Sequence, residues 1–191
     1  MAKFFGNLHL VLVTGLVLAI VVMVAFADAI SVDANSISRW LHVFFGILWI
    51  GLLYYLNFVQ VPTMPTIPAE LKKGVTGFIA PKVFFFFRYA ALLTVITGLV
   101  IAWVNGYAHR ALTFQGASPN ENLIGLGMWL ALIMAFNVWF IIWPAQQKIL
   151  GLKEATDEEK AAAAPRALAA SRTNVLLSLP MLYAMVSANL G

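Results

Sequence analysis

Histidines inside or beside apolar runs are the first residues of this sequence whose type indicates chemistry. His42 lies about one helical turn inside one end of an uncharged run, and His109 follows the next run in a loop on the same side. Because imidazole nitrogens ligate haem and transition metals, His42 is a candidate ligand for a haem b or a redox metal, with His109 as a second ligand. Gly46 lies one turn further along and would let a flat macrocycle approach the backbone, and Trp49 follows on the same helical face.

A structural role would explain the same residues. His42 could hydrogen-bond to a neighbouring helix, Gly46 could permit close helix packing, and His109 could be a solvated loop histidine. His9 lies near the opposite face of the bilayer from His42, at a separation of most of its thickness of about 30 Å, so these two cannot ligate one haem. The residues alone leave both interpretations of His42 open.

Polar side chains at the other end of the apolar runs form a second candidate site. Asn57, Arg88, Asn137 and Asn174 fall at similar depth on different runs, with Gln60 at the same level. An ionisable group inside a membrane is costly, by about 2.5 to 3.5 kcal/mol for an arginine on insertion scales, so it needs a reason. If these side chains face one another, they surround one positive charge and could bind an anionic substrate. Alternatively, Arg88 extends to lipid phosphates with its stem in the apolar phase.

Composition excludes several functional classes. The chain is 62% hydrophobic and only 10% charged, which excludes a water-soluble globule. A net charge of +4 on scattered residues gives no footprint for nucleic acid. With no cysteine there is no disulfide, no iron-sulfur cluster and no c-type haem attachment. The acidic residues all lie in loops or at helix edges, so no Ser-His-Asp set or carboxylate pair converges.

The runs that must position these residues are long enough to cross a bilayer. A hydrocarbon core of about 30 Å needs about 20 apolar residues in a helix, and lipid requires the backbone to pair internally. The sequence therefore predicts an all-α integral membrane protein, a single domain over residues 1–191. Its five transmembrane helices are predicted at residues 8–27, 40–61, 84–104, 123–143 and 173–190.

The distribution of basic residues predicts the orientation. Ten of the 12 Lys and Arg residues fall in segments on the side of the N-terminus. Because cytoplasmic loops carry the excess of positive charge, we expect a cytoplasmic N-terminus and an outside C-terminus. The chain is thus predicted to be a multi-pass protein of a bacterial cytoplasmic membrane.

Two connecting segments carry local signals. Residues 62–82 contain four prolines, which predict an irregular or extended loop because each proline removes a backbone donor. Thr156 followed by Glu159 forms a capping-box pattern, which predicts a short surface helix to about Ala164. Pro165 would then belong to the first turn of the last transmembrane helix.

Several motifs, in this order along the chain, resemble a known family. They are Arg39-Trp40-Leu41-His42, residues 46–51 and Tyr54-Tyr55 in the second run; Asn137-Val138-Trp139 and Ile142-Trp143-Pro144 in the fourth; and Ser171-Arg172-Thr173-Asn174 and residues 177–182 in the fifth. Together they resemble the N-terminal membrane domain of the bacterial membrane-bound urate oxidases (urate hydroxylases) over about residues 38–190. The resemblance implies a membrane oxidoreductase whose electrons leave through a cytochrome. In that family a cytochrome c domain is fused to the membrane part, and the absence of cysteine here points to a separate cytochrome c or to a lost enzymatic role.

Two functional hypotheses follow. In the first, the chain is a membrane subunit of a redox system, with a haem b or redox metal near the outer face at His42 and an anionic ligand near Arg88, Asn137 and Asn174. In the second, it is a non-catalytic accessory subunit that packs against other membrane subunits or a second copy of itself.

Overall fold

The computed structural model describes residues 2–27, 29 and 32–188, and every regular element within them is helical. The chain divides into two compact units, residues 1–37 and 38–191, which are described separately. The helices in chain order are α1 (Ala2–Phe5), α2 (Leu8–Ala25), α3 (Ala34–Tyr54), α4 (Val61–Thr63), α5 (Ala69–Gly74), α6 (Ala80–Val104), α7 (Ala108–Leu112), α8 (Pro119–Phe136), α9 (Trp143–Ile149) and α10 (Asp157–Ser187).

The main helix of the first unit is α2, which is apolar on all sides. Asn7 caps its N-terminus, where the side-chain oxygen accepts a hydrogen bond from the Leu10 amide at 3.2 Å. None of the residues of α2 is buried, and side chains such as Val13 and Val17 are more than half exposed. A helix that is hydrophobic all round suits an apolar solvent such as lipid.

The second unit is a helical bundle with its core between α3, α6, α8 and α10. Trp49, Leu53, Phe87 and Met134 are fully or almost fully buried in this core. The helix α10 packs against α8 and α9, and α6 also packs against α8. Because α10 lies against several partners, it positions most of the polar groups described below.

Among the described residues, four helical stretches are long and apolar enough to cross a membrane. Their bounds are Leu8–Ala25, Ala34–Thr66, Ala69–Val104 and Pro119–Ile149. The last three contain the second, third and fourth predicted spans, and the first covers all but the last two residues of the predicted span 8–27. The predicted span at residues 173–190 falls on α10, which is not among the four, and its last two residues lie outside the described residues.

The prediction of an irregular proline-rich segment was wrong. Residues 61–66 form α4 and a 3₁₀ turn, and α5 and α6 follow. Pro62, Pro65 and Pro81 each fall within the first two positions of a helical element. Proline is tolerated there because the first amides of a helix need no intrahelical acceptor. The prolines therefore divide the segment into short helices instead of unfolding it.

The separate surface helix predicted before Pro165 was also wrong in extent. The capping box is present, since the Thr156 hydroxyl accepts from the Glu159 amide and the Glu159 carboxylate accepts from the Thr156 amide. However, α10 continues from Asp157 through Pro165 to Ser187. Pro165 is exposed, so the carbonyl that it leaves without an intrahelical donor need not be buried.

In the described part of the chain, three π-helical segments interrupt the long helices. The segment π1 (Tyr55–Gln60) continues α3, π2 (Val75–Ile79) precedes α6, and π3 (Asn137–Ile142) joins α8 to α9. Such wide turns are rare and occur frequently at functional sites. Two of the three carry asparagines that the sequence analysis selected, Asn57 in π1 and Asn137 in π3.

Candidate functional site

Asn137 and Asn174 form a buried hydrogen-bonded pair across two helices. The Asn137 Nδ2 donates to the Asn174 Oδ1 at 2.9 Å, and the Asn174 Nδ2 donates to the Met134 carbonyl at 3.0 Å. Asn174 is completely buried and Asn137 is 8% exposed. The Met134 carbonyl also accepts from the Asn137 amide where α8 ends and π3 begins, so the pair joins α10 to the start of π3.

Asn57 also hydrogen-bonds to α10. Its Nδ2 donates to the Leu53 carbonyl and to the Ser171 Oγ, both at 2.8 Å. The Arg172 Nη1 donates to the Asn57 main-chain carbonyl at 3.3 Å. The Asn57 Oδ1 is buried and accepts no hydrogen bond from any described residue. Asn57 is only 1% exposed, so this oxygen is an acceptor held inside the protein without a donor.

One face of α10 joins these groups. Ser171, Asn174 and Ser178 recur at intervals of three and four residues, which places them on one side of a helix. Ser171 binds Asn57, Asn174 binds Asn137, and the Ser178 hydroxyl lies 2.9 Å from the Tyr54 hydroxyl. Asn57 of π1 and Asn137 of π3 thus both bind one polar face of α10, the face that carries Asn174. We call the side chains of Asn57, Asn137 and Asn174 the polar layer.

Gln60 adds a second acceptor of the same kind. It lies three residues after Asn57 in π1, and its Oε1 is also buried with no donor among the described residues. Unpaired buried oxygens are uncommon in folded proteins, because each costs about 1 to 3 kcal/mol of desolvation. Two such oxygens occur on one π-helical segment, and the described residues supply a donor to neither.

Arg88 lies among aromatic rings, and its guanidinium is not bonded to the three asparagines. Its Cζ lies 3.8 Å from the ring centroid of Trp143, 5.1 Å from that of Tyr89 and 5.9 Å from that of Trp139. The Arg88 Nε is buried and has no hydrogen-bond partner within the described part of the chain. The Trp139 Nε1 donates to the Arg88 carbonyl at 3.1 Å, which ties α6 to π3. The charge is therefore stabilised by ring faces, as in a cation–π site.

His42 is bonded to α6. Its Nδ1 lies 2.9 Å from the Thr94 carbonyl and 3.3 Å from the Thr97 Oγ1. The imidazole lies against Gly98, where a Cβ would come within 2.9 Å of the His42 Cε1. Glycine is thus what permits the close approach of the ring to α6. This is the helix-bridging role that the sequence left open.

The surroundings of His42 do not fit a haem. The cavity beside the ring measures about 30 Å³ and is lined by Gly98, Met128 and Met185 among others. Ligand pockets are about 300 to 1,000 Å³, so this space holds a water molecule at most. Within the described residues no group of three or more His, Cys, Asp or Glu side chains converges on one point. The ligand role of His42 stays a prediction, without a built site in this arrangement.

The other residues predicted around His42 lie in different surroundings. His109 is exposed on α7, and its carbonyl accepts from the Thr113 hydroxyl. A Cβ on Gly46 would come within 3.9 Å of the Thr94 Cγ2, which is ordinary packing. Trp49 is fully buried in the core, and its Nε1 has no acceptor among the described residues.

The sequence did not identify all the residues that hydrogen-bond to the polar layer. Ser171 and Arg172 were counted only as parts of a motif, yet they hold Asn57. The signal was present, since Ser171, Asn174 and Ser178 repeat with a helical period, but Ser and Arg at the end of an apolar run also suit a lipid interface. The aromatic surroundings of Arg88 combine residues of α6, π3 and α9, which no local pattern brings together.

The comparisons with known proteins agree with the motifs. A model of the urate oxidase N-terminal family matches residues 81–191, more than half of the chain. The match includes Arg88, Asn137, Arg172 and Asn174, and it begins after Asn57. Neither the comparison with curated proteins nor that with solved structures gave a match. The matched residues run from the first turn of α6 to the last residue and include the π3 and α10 sides of the polar layer, so the chain belongs to the urate oxidase N-terminal family.

Proposed function

We propose that this chain is a membrane component of a urate oxidase system and that its polar layer binds the substrate, a planar purine anion. The supporting observation is the Asn57 Oδ1, a buried acceptor to which no described residue donates. A urate anion carries ring N–H groups, carbonyl oxygens and one negative charge. Its N–H groups would bind the free oxygens of Asn57 and Gln60.

Arg172 supplies the charge in this proposal. Its guanidinium already reaches the Asn57 carbonyl and has further N–H donors for the oxygens of an anion. Arg88 keeps a different role, because aromatic rings surround its guanidinium. The proposal therefore transfers the anion-binding role from Arg88 to Arg172 and keeps Asn57, Asn137 and Asn174 as lining or positioning residues.

Oxidation of the bound purine needs an electron acceptor outside the polar layer. Because the residues around His42 do not fit a haem, we assign to this chain the binding and orientation of the anion alone. Electron transfer is left to a partner, which we propose is a separate cytochrome c or another membrane subunit with a haem b or redox metal. A b-type band in the reduced-minus-oxidised spectrum of the purified chain would contradict this division of roles.

The proposed setting is the bacterial cytoplasmic membrane, with five spans and a cytoplasmic N-terminus. The apolar lengths of four helices and the basic residues at one end of them support it. With this orientation the polar layer lies in the cytoplasmic half of the bilayer, where it would receive the substrate from the cytoplasm.

Equilibrium binding of urate to the detergent-purified chain tests the proposal. Asn57→Asp keeps the size of the side chain but places a carboxylate where the anion would bind. We expect it to weaken urate binding at least tenfold, because like charges repel strongly where water is scarce. Asn120→Asp makes the same chemical change at an exposed position in the first turn of α8 and should leave binding unchanged.

Two outcomes would overturn the proposal. One is the absence of saturable urate binding by a folded wild-type chain, which would favour the accessory-subunit hypothesis. The other is equal binding by the wild-type chain and the Asn57→Asp variant. Circular dichroism and size exclusion of each variant separate lost binding from lost folding.

A further inference from the structure

A groove between the end of the fourth apolar stretch and the first turns of α10 has the chemistry of an amphiphile site. Its volume is about 350 Å³, within the range of ligand pockets. Phe140, Pro144, Ala145 and Ala163 supply apolar walls, and Lys148 and Arg166 lie at its polar side. We call it the basic groove. It shares no lining residue with the polar layer.

Of the two basic residues that line the basic groove, Lys148 is paired with Glu159, and Arg166 has no anionic partner among the described residues. The Lys148 Nζ lies 2.8 Å from the Glu159 Oε1, while the Glu159 Oε2 accepts from the Thr156 amide. The Glu159 carboxylate is thus occupied on both oxygens, and its charge balances that of Lys148. Arg166 is exposed and donates to no described residue. The groove therefore carries a net positive charge with the donors of one guanidinium unused.

An apolar track leads from the groove along the outside of the same helical stretch. Phe140 is 65% exposed and Phe136 is 55% exposed. Their ring centroids lie 4.8 Å apart. Both residues belong to the candidate span Pro119–Ile149, whose end carries Lys148. The track thus runs toward the middle of the apolar stretch, and the cations lie at its end.

We propose that the basic groove binds an anionic phospholipid, with its phosphate at Arg166 and Lys148 and an acyl chain along Phe140 and Phe136. Charge complementarity and the apolar track support this occupant together. Anionic headgroups favour basic pockets between helices near a membrane surface, where each Lys or Arg contributes about 1 kcal/mol. A zwitterionic lipid would satisfy the apolar track but not the net charge.

Native mass spectrometry of the purified chain tests this assignment. We expect phosphatidylglycerol to bind and to be retained better than phosphatidylcholine with the same acyl chains. Arg166→Gln should reduce phosphatidylglycerol binding about fivefold, the value that corresponds to one surface cation. Lys82→Gln removes an exposed basic residue at the start of α6 that does not line the groove, and it should leave binding unchanged.

Further measurements distinguish a bound lipid from a bound free phosphate. They also separate a loss of lipid binding from a loss of folding. Phe140→Ser keeps every charge and should also weaken phosphatidylglycerol binding, whereas glycerol 3-phosphate should not displace the lipid. Thermal melts should show Arg166→Gln and Phe140→Ser to be folded, since the side chains of Arg166 and Phe140 are exposed. The proposal is overturned if the lipids bind equally, if Arg166→Gln and Lys82→Gln have equal effects, or if glycerol 3-phosphate competes fully.

Discussion

The Arg172 guanidinium donates to the main-chain carbonyl of Asn57 at 3.3 Å, across the contact between α10 and π1. The charge bonded to the polar layer therefore comes from the last long helix. Arg88, which lies inside an apolar run, is instead surrounded by aromatic rings. The main-chain carbonyl of Asn57 thus binds a cation, while its side-chain Oδ1 is buried and accepts from no described residue.

Asn174 should be essential for the stability of the polar layer. Asn174→Ala removes the acceptor of the Asn137 Nδ2 and the donor to the Met134 carbonyl. Because the Asn137 Nδ2 would then be buried without an acceptor and the Met134 carbonyl would keep only its main-chain donor, we expect a loss of about 1 to 3 kcal/mol in the free energy of unfolding. Thermal melting in detergent measures it. Asn120→Ala, at an exposed position, should change stability by less than about 0.5 kcal/mol, and equal effects of the two variants would refute the argument.

The approach of His42 to α6 predicts a strong difference between two glycines. Gly98→Ala places a methyl group 2.9 Å from the His42 Cε1, whereas Gly51→Ala meets nothing within 4 Å. Overpacking at Gly98 should cost about 1 to 3 kcal/mol of stability, and Gly51→Ala should be neutral or slightly stabilising. Melting curves of the two variants check this. A neutral Gly98→Ala would mean that the ring is free to move away.

The stability of the contact between α9 and α10 should depend on pH. The hydrogen bond from Lys148, with help from the Thr156 amide, lowers the pKa of Glu159 from its usual value of 4.5. Since the folded state favours the ionised form, its contribution is present above about pH 4.5 and is lost as the pH falls through the lowered pKa. The melting temperature should therefore fall over this range, and Glu159→Gln should reduce the fall. Glu154→Gln changes an exposed carboxylate with no ion pair among the described residues and should behave as wild type.

Single cysteines report the orientation without background, because the chain has no cysteine of its own. A cysteine at Glu158, near the start of α10, should be protected from an impermeant reagent added to intact cells. One at Ala117, in the loop before α8, should be labelled. Both positions are exposed, so access depends on the side of the membrane. The reverse pattern would overturn the proposed cytoplasmic N-terminus.

Much of the helical architecture could be predicted because hydropathy determines it. The first four apolar runs correspond to helical stretches, three of which extend beyond the predicted bounds, and the Thr156 capping box is present as predicted. The prolines at Pro62 and Pro165 were misinterpreted because the tolerance of proline depends on its position within a helix. In α4 and α6 it falls in first turns, and in α10 it lies on an exposed face.

The candidate site was predicted only in part. The choice of Asn57, Asn137 and Asn174 rested on equal depth, and the structure joins all three through α10. The position of the Arg88 guanidinium could not be derived, because its environment depends on how α6 packs against π3 and α9. Which of two cations reaches an asparagine is a property of that packing and has no local signal.

The most direct test is the dissociation constant of urate for the wild-type chain, Arg172→Gln and Arg88→Gln. Hydrogen bonds to a charged group contribute about 1.5 to 3 kcal/mol, so we expect Arg172→Gln to weaken binding at least about tenfold. Arg88→Gln should change it by less than about twofold once folding is matched, because its guanidinium lies among rings and bonds to none of the three asparagines. A tenfold loss in Arg88→Gln with unchanged binding in Arg172→Gln would contradict the account.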